Sequence, residues 1–447
     1  MKTLNLPAFV LLALLLCGGC QTSNVPETPP NVVVILIDSL RADSLNDYGN
    51  ERNTNPFLTE FGQKGIRFTN AHSHSSETKI SVATLFTGLL PPTNGVRESA
   101  LPESAKSGRY LSDSLSSGLN TLAEVLQQKR YRTAAFSTNP HIRSFTGFSQ
   151  GFDDFQYHPW PRVSAKRVND NVFNWISKVG DSPFFMYIHY MDVHSPYRPP
   201  LDYRFLYTEK KEMPYYEDDG PAHTEMSLER VDYQRARYDA QINYWDDNFK
   251  DLIEKMRTGG FLDNTVFVIL SDHGEEFYEH RGFGHGYTVY EEVLHIPLYI
   301  VFEGRIPPGQ LRQDFVGIID IFPTICSLAG QDVSRLPLHG KDILSPRKNT
   351  KERFHYAETY QGHAPRSVQT ERYKLILNSD TTEFELYDLQ EDPMELTNSV
   401  NKQASLAREY QKRLLEIMSV RIEGIESRKK ELDQKTIEQL KSLGYIK

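Results

Sequence analysis

Two apolar runs that each end at a carboxylate constrain this chain more than any other feature. The first is Val32-Val33-Val34-Ile35-Leu36-Ile37 running into Asp38; the second spans 265–270 and is followed by Ser271, Asp272 and His273. Uninterrupted runs of this length, rich in β-branched residues, read as strands buried on both faces, as in parallel sheets covered by helices. Sheets of that kind bind ligands beyond the carboxyl ends of their strands. Asp38, Asp272 and His273 therefore fall where a site belongs, and carboxylates beside an imidazole are a donor set for a divalent metal.

A third segment, Glu77 to Gly88, carries a helical pattern from Thr78 onward and closes at the glycine. The Thr78 hydroxyl is thus expected near a helix N-terminus, where backbone N–H groups and the helix dipole favour an anionic ester. An N-cap role would put the same residue in the same place.

Elsewhere strands alternate with helices. Helices are expected over 121–129, 167–179 and 230–256, and strands over 133–137 and 184–189, which is the alternation of a parallel sheet covered on both faces. After about Pro346 the pattern changes to short strands, including 372–377 and 384–388, then a charged helix over 405–434. The expected architecture is α/β: a doubly wound, mostly parallel sheet with helices on both faces over 31–345, then a small antiparallel sheet-and-helix subdomain over 346–434. Residues 435–447 are read as a tail. The run Lys429-Lys430-Glu431 is expected on a solvated helix face.

Composition bounds the partners. The 447 residues are 39% apolar, enough for a large core, and the net charge is −9. With no Lys/Arg block and no interleaving of aromatic and basic residues, nucleic acid is not an expected partner. The start of the chain reads as an address: Lys2, the apolar run from Phe9 to Leu16, then Cys17-Gly18-Gly19-Cys20. This resembles a bacterial lipobox with Cys20 as the lipidated residue, although Cys17 stands at the usual Leu position. Residues 1–19 would be the signal peptide and 20–30 a polar, proline-bearing tether. Gln21 lacks the Asp that resembles an inner-membrane retention signal, so the expected location is the cell envelope, on the periplasmic face of the outer membrane if the source is Gram-negative. Only Cys326 would remain in the mature domain, buried and without a disulfide.

Taken together, Ile37-Asp38-Ser39-Leu40-Arg41-Ala42-Asp43, Leu85-Phe86-Thr87-Gly88, His189-Tyr190-Met191-Asp192-Val193-His194-Ser195-Pro196-Tyr197, the stretch from Asp272 to Gly286, and Glu385-Leu386-Tyr387-Asp388 resemble the sulfatase-like branch of the alkaline phosphatase superfamily. The resemblance runs from about Asn31 to the C-terminus and implies an alkaline-phosphatase-like fold. It implies that Asp38, Asp272, His273 and the Thr78 oxygen hold a metal, with Thr78 the nucleophile. His194 and His285 would meet the substrate's non-bridging oxygens or move a proton, and Lys79 and Asn139 would also face substrate. Phosphoethanolamine transferases and lipoteichoic acid synthase, to which the constellation is similar, have histidines at comparable places.

The chain departs from family sulfatases where substrate class is decided. Their Cys-x-Pro-Ser-Arg motif, whose Cys or Ser is oxidised to formylglycine, is here Thr78, Ile80, Ser81 and Val82, and Thr cannot become formylglycine. The sulfatase Gly-Lys-Trp-His segment is replaced by Ser137-Thr138-Asn139-Pro140-His141, without the Lys, and His285 stands near the expected second Lys. The pattern resembles a phosphoryl-directed relative acting on phosphodiesters, phosphonate esters or lipid and glycan head groups, by hydrolysis or transfer. A sulfate ester hydrolase working without formylglycine and a silent binding protein are the alternatives. Ser39 replaces the second Asp of sulfatases, which tilts the metal from Ca²⁺ toward Zn²⁺ or Mn²⁺. One ion is expected; a second would draw on Asp192, His194 and His285. Glu275, Glu276 and His280 are further candidates, expected to support the ligands from behind or to be solvated.

Overall fold

The computed structural model describes residues 28–97, 101–102, 110–159, 164–209, 226–346, 352–361, 363–422, 425 and 428–442. The expected signal peptide, Cys20 and most of the tether lie outside the described residues. At the centre is a nine-stranded sheet. Its strands lie side by side in the order Gln310–Arg312, Ile66–His72, His295–Val301, Thr265–Ser271, Asn31–Ile37, Phe184–Tyr190, Arg132–Ser137 and Asp154–Tyr157, with Val316–Gly317 also paired to Ile66–His72. Asn31–Ile37 runs parallel to both neighbours, and its last residue, Ile37, is level with Tyr190 on one side and Ser271 on the other. His295–Val301 runs antiparallel to its two neighbours. The expected doubly wound, mostly parallel architecture is therefore the one observed.

The unbroken apolar run of the central strand follows from its two covered faces. Val32, Val34 and Leu36 join a core that includes Val82, Leu85 and Phe86 of the helix Thr78–Thr87. Val33, Ile35 and Ile37 face the opposite way, onto Val168 and Val172 of Ala165–Ile176 and Tyr238, Ile242 and Trp245 of Leu228–Thr258. A strand with solvent on one side would alternate; this one cannot. Cys326 lies in the helix Ile321–Leu328 as a buried free thiol, which burial pushes up to about 12. Among the described residues no helix is long and apolar enough to cross a membrane.

The C-terminal part forms a four-stranded antiparallel sheet of His355–Glu358, Arg366–Gln369, Tyr373–Asn378 and Glu383–Asp388. Tyr356, Val368, Leu375 and Leu386 pack there on Ala407, Tyr410 and Leu414 of the helix Ala404–Ser419. The helix expected over 405–434 thus stops early. Beyond it Ile422 and Ile425 pack against the core of the main sheet, and Arg428–Glu431 forms a strand paired with Tyr110–Ser114. Lys429, Lys430 and Glu431 are exposed as expected, but on a strand; tertiary packing of the two isoleucines overrides helix propensity. A further helix, Gln434–Ser442, buries Ile437 and Leu440.

Candidate metal and active site

The register of the central strands brings the sequence-distant residues to one edge. Asp38 follows Ile37, its N–H donating to the Tyr190 carbonyl, and Asp272 follows Ser271 directly alongside. Ser39 takes a left-handed conformation, φ 61°, which turns its N–H onto Asp272 Oδ1 at 3.2 Å. Its hydroxyl donates to Asp38 Oδ1 at 3.1 Å. Thr78 is the first residue of the helix Thr78–Thr87, with Glu77 at the N-cap, so its hydroxyl does not cap. Instead Thr78 Oγ1 lies 3.3 Å from His273 Nε2 and 3.5 Å from Asp38 Oδ2. The ligand atoms of Asp38, Asp272 and His273 all lie within 4.8 Å of one another, and all three side chains are buried.

The donor set fits a cation. His273 Nδ1–H donates to the Gly274 carbonyl at 2.8 Å, which leaves the lone pair on Nε2. That lone pair faces Asp272 Oδ2 at 3.6 Å and Asp38 Oδ1 at 3.9 Å. Asp272 Oδ2 is buried without a hydrogen-bond partner. Acceptors converging in this way repel one another unless a positive ion sits among them. Burial, then the charge of Asp38, pushes the Asp272 carboxyl up. Burial would push Asp38 up as well, but the hydrogen bond from His189, the largest of the opposing causes, holds it well below the usual carboxylate range.

Two histidines face one another beside this cluster, their ring centroids 5.0 Å apart, and His285 stands 4.3 Å from the His273 ring. His285 Nδ1 bonds Glu275 Oε1 at 2.8 Å, and Tyr197 donates to Glu275 Oε2 at 2.8 Å. Although burial opposes it, the charge and hydrogen bond of Glu275 raise His285 to about 9, an imidazolium at neutral pH. His194 donates from Nδ1 to the Ser195 carbonyl at 2.5 Å, and burial and the nearby His285 charge lower it, so it is neutral.

Lys79 directs Nζ to Ser112 Oγ, and Asn139 donates from Nδ2 to Asp38 Oδ2 at 2.7 Å. Asp192, named for a second ion, turns away: its Oδ1 accepts the Ala165 N–H at 2.9 Å, at the head of the helix Ala165–Ile176. Among the described residues it does not join His194 and His285 within ligand distance, so the second-ion alternative gains no support. Glu276, His280 and Glu292 do cluster, but His280 is paired with Glu292 at 2.7 Å and stacked on Tyr290. Sequence reasoning missed His189, whose Nε2–H donates to Asp38 Oδ2 at 2.9 Å while Nδ1 meets the Tyr187 hydroxyl. The signal was present: a lone histidine in the apolar strand Phe184–Tyr190, buried on both faces. His141 was also missed; burial and then the Lys79 charge lower it to about 3, and Asp38, His194 and His285 all act on it.

Comparison with known proteins places the chain in a family. Residues 30–331 match the family described as Sulfatase, and residues 278–420 match the C-terminal region of N-sulphoglucosamine sulphohydrolase. An arylsulfatase of Clostridium perfringens is 23% identical, the match covering 89% of this chain and 95% of that protein. An N-acetylglucosamine-6-O-sulfatase of Bacteroides thetaiotaomicron is 23% identical, covering 94% and 90%. The fold is shared with the crystal structure of phosphonate monoester hydrolase of Agrobacterium radiobacter, at 20% identity and a TM-score of 0.70, over 87% of this chain and 95% of that one. A sheet that presents Asp38, Asp272 and His273 at its carboxyl edge, and a family match over more than half of the chain, lead to one assignment: the protein belongs to the sulfatase family.

Proposed function

We propose that this sulfatase-family hydrolase uses Thr78 as a covalent nucleophile on phosphoryl esters, either phosphodiesters, phosphonate esters or phosphorylated head groups. The observation that carries the reading is the position of Thr78 Oγ1, 3.3 Å from His273 Nε2 and beside Asp38. A divalent ion bound by Asp38, Asp272, His273 and the Thr78 oxygen would lower the pKa of that hydroxyl and neutralise developing charge. One imidazole, one hydroxyl and two carboxylates suit Zn²⁺ or Mn²⁺ better than Ca²⁺, which prefers an all-oxygen shell.

The chain's own groups divide the remaining work. The Thr78 oxygen forms a bond to phosphorus as the bond to the leaving oxygen breaks, giving a threonine ester that water or an acceptor alcohol then releases. His285, the imidazolium, neutralises the non-bridging oxygens or delivers a proton to the leaving oxygen; His194, the neutral partner, accepts one. Asn139 and His189 hold the Asp38 carboxylate in place, and Lys79 lies beside Thr78 in sequence as an added positive charge. Phosphorus is favoured over sulfur because a threonine cannot supply the formylglycine hydrate of family sulfatases.

A second reading, sulfate ester hydrolysis without formylglycine, is favoured by the relatives named as arylsulfatase and N-acetylglucosamine-6-O-sulfatase. Turnover of aryl phosphate mono- and diesters, a phosphonate monoester and an aryl sulfate, each with Zn²⁺, Mn²⁺ or Ca²⁺, separates the two. Higher kcat/KM on a phosphorus ester supports the proposal, and preference for the sulfate replaces it with the second reading. The proposed place of work is the cell envelope, through a lipid on Cys20. Labelled fatty acid should enter the wild type and not Cys20→Ser.

A further inference from the structure

The chain just before Thr78 and the chain just after His285 come from opposite sides of the sequence, yet one side chain of the C-terminal part touches both. Glu77 is buried at the N-cap of the helix Thr78–Thr87, and its Oε1 accepts from the Thr359 hydroxyl at 2.6 Å and from the Tyr360 N–H at 2.7 Å. The same Thr359 hydroxyl lies against the carbonyl oxygen of Gly286, the residue after His285. Thr359 is fully buried and follows directly on the strand His355–Glu358. Neighbouring contacts join the same segments: Glu358 N–H donates to the His74 carbonyl at 3.1 Å, and Ser76 Oγ donates to the Thr288 carbonyl at 2.7 Å.

We propose that Thr359 is a positioning residue, whose hydroxyl sets the spacing between the segment bearing Thr78 and the segment bearing His285. The inference rests on the reading that Thr78 attacks the substrate and His285 faces it. A hydroxyl carries a single hydrogen, shared here between the Glu77 carboxylate and the Gly286 carbonyl, so its loss loosens both segments together. Asp38, Asp272 and His273 lie on other segments and hold most of the metal affinity, so metal content is largely separable from spacing. Misplacing reacting groups by a fraction of an ångström slows the chemical step more than it weakens ground-state binding.

The test is steady-state kinetics of the full-length, metal-loaded protein on an aryl phosphodiester, with metal content and thermal midpoint measured beside the rates. Thr359→Val keeps the shape and removes the hydroxyl; Thr359→Ser keeps the hydroxyl. The expected result is a fall in kcat of roughly tenfold to a hundredfold in Thr359→Val, KM and metal content close to wild type, and recovery of most of the rate in Thr359→Ser. Wild-type kcat in Thr359→Val overturns the proposal, as does an equal loss in Thr359→Ser. Should Thr359→Val not fold, Glu77→Met cuts the link from the nucleophile's side and must show the same split between kcat and KM. Thr78→Ala is the control for the underlying reading: turnover surviving there removes the nucleophile assignment, whereas a dead Thr78→Ala beside an unaffected Thr359→Val removes only this inference.

Discussion

At the scale of single residues, the metal cluster turns on Asp272 Oδ2, a buried carboxylate oxygen with no hydrogen-bond donor, facing the His273 Nε2 lone pair. Asp272→Asn replaces a charged oxygen by an amide, and His273→Ala removes the aimed Nε2 lone pair. Each is predicted to lose bound metal and turnover together, and unchanged metal by elemental analysis in both would contradict the ligand assignment. Thr78→Ala should keep most metal affinity, because three protein ligands remain, and lose turnover. The pair of Glu275 and His285 makes a pH prediction. His285 is raised from 6.5 to about 9, so the ion pair's contribution to stability is fully present below pH 6.5 and is lost as pH rises through about 9. If the imidazolium serves the reaction, kcat/KM falls on an alkaline limb near pH 9, and Glu275→Gln moves that limb to lower pH. A limb that stays put in Glu275→Gln would take the proton role away from His285.

At the scale of elements, the helix Thr78–Thr87 is fixed at both ends, by Glu77 against the C-terminal part and by Gly88 at its C-cap. Gly88 has φ +65°, and a Cβ there would stand 2.9 Å from Leu338 Cδ2. Gly88→Ala is predicted to destabilise the protein by about 1 to 2 kcal/mol, read as a lowered denaturant midpoint with kcat little changed. A loss of kcat without a loss of stability would mean that the helix end, and not only its start, controls the nucleophile. The central strands and this helix were legible because their signals are local: unbroken apolar runs, a run of helical pattern and a closing glycine. The cluster was legible because Asp38 and Asp272 stand one residue past such strands. What stayed hidden depends on neighbours that the sequence does not name. His189 acquires its role only when strand order sets Phe184–Tyr190 beside Asn31–Ile37, and Asp192 is engaged elsewhere because Ala165 lies within reach. The charged stretch after Ser419 leaves the helix because Ile422 and Ile425 find a core, which no helical period records.

At the scale of the whole molecule, the C-terminal sheet is tied to the main sheet by a buried ion network as well as by Thr359. Lys374, fully buried on Tyr373–Asn378, bridges Glu291 Oε1 at 3.1 Å and Glu395 Oε1 at 3.0 Å. Burial pushes Glu395 up to about 8 against the pull of Lys374, while the charges of His72 and Lys374 overcome burial and hold Glu291 well below the usual carboxylate range. Lys374→Met removes the cation shared by the buried Glu395 and the half-buried Glu291, which keeps its contact with His72, and is predicted to cost about 1 to 3 kcal/mol, measured by chemical denaturation. A loss under about 1 kcal/mol would show that the network is not what joins the two parts. The central claim concerns the whole assembly, in which both parts converge on Thr78, and mass spectrometry of protein quenched during turnover of an aryl phosphodiester tests it most directly. The account predicts a phosphoryl adduct confined to the peptide carrying Thr78, absent from Thr78→Ala. Steady turnover with no adduct on Thr78, or an adduct on another residue, would contradict it.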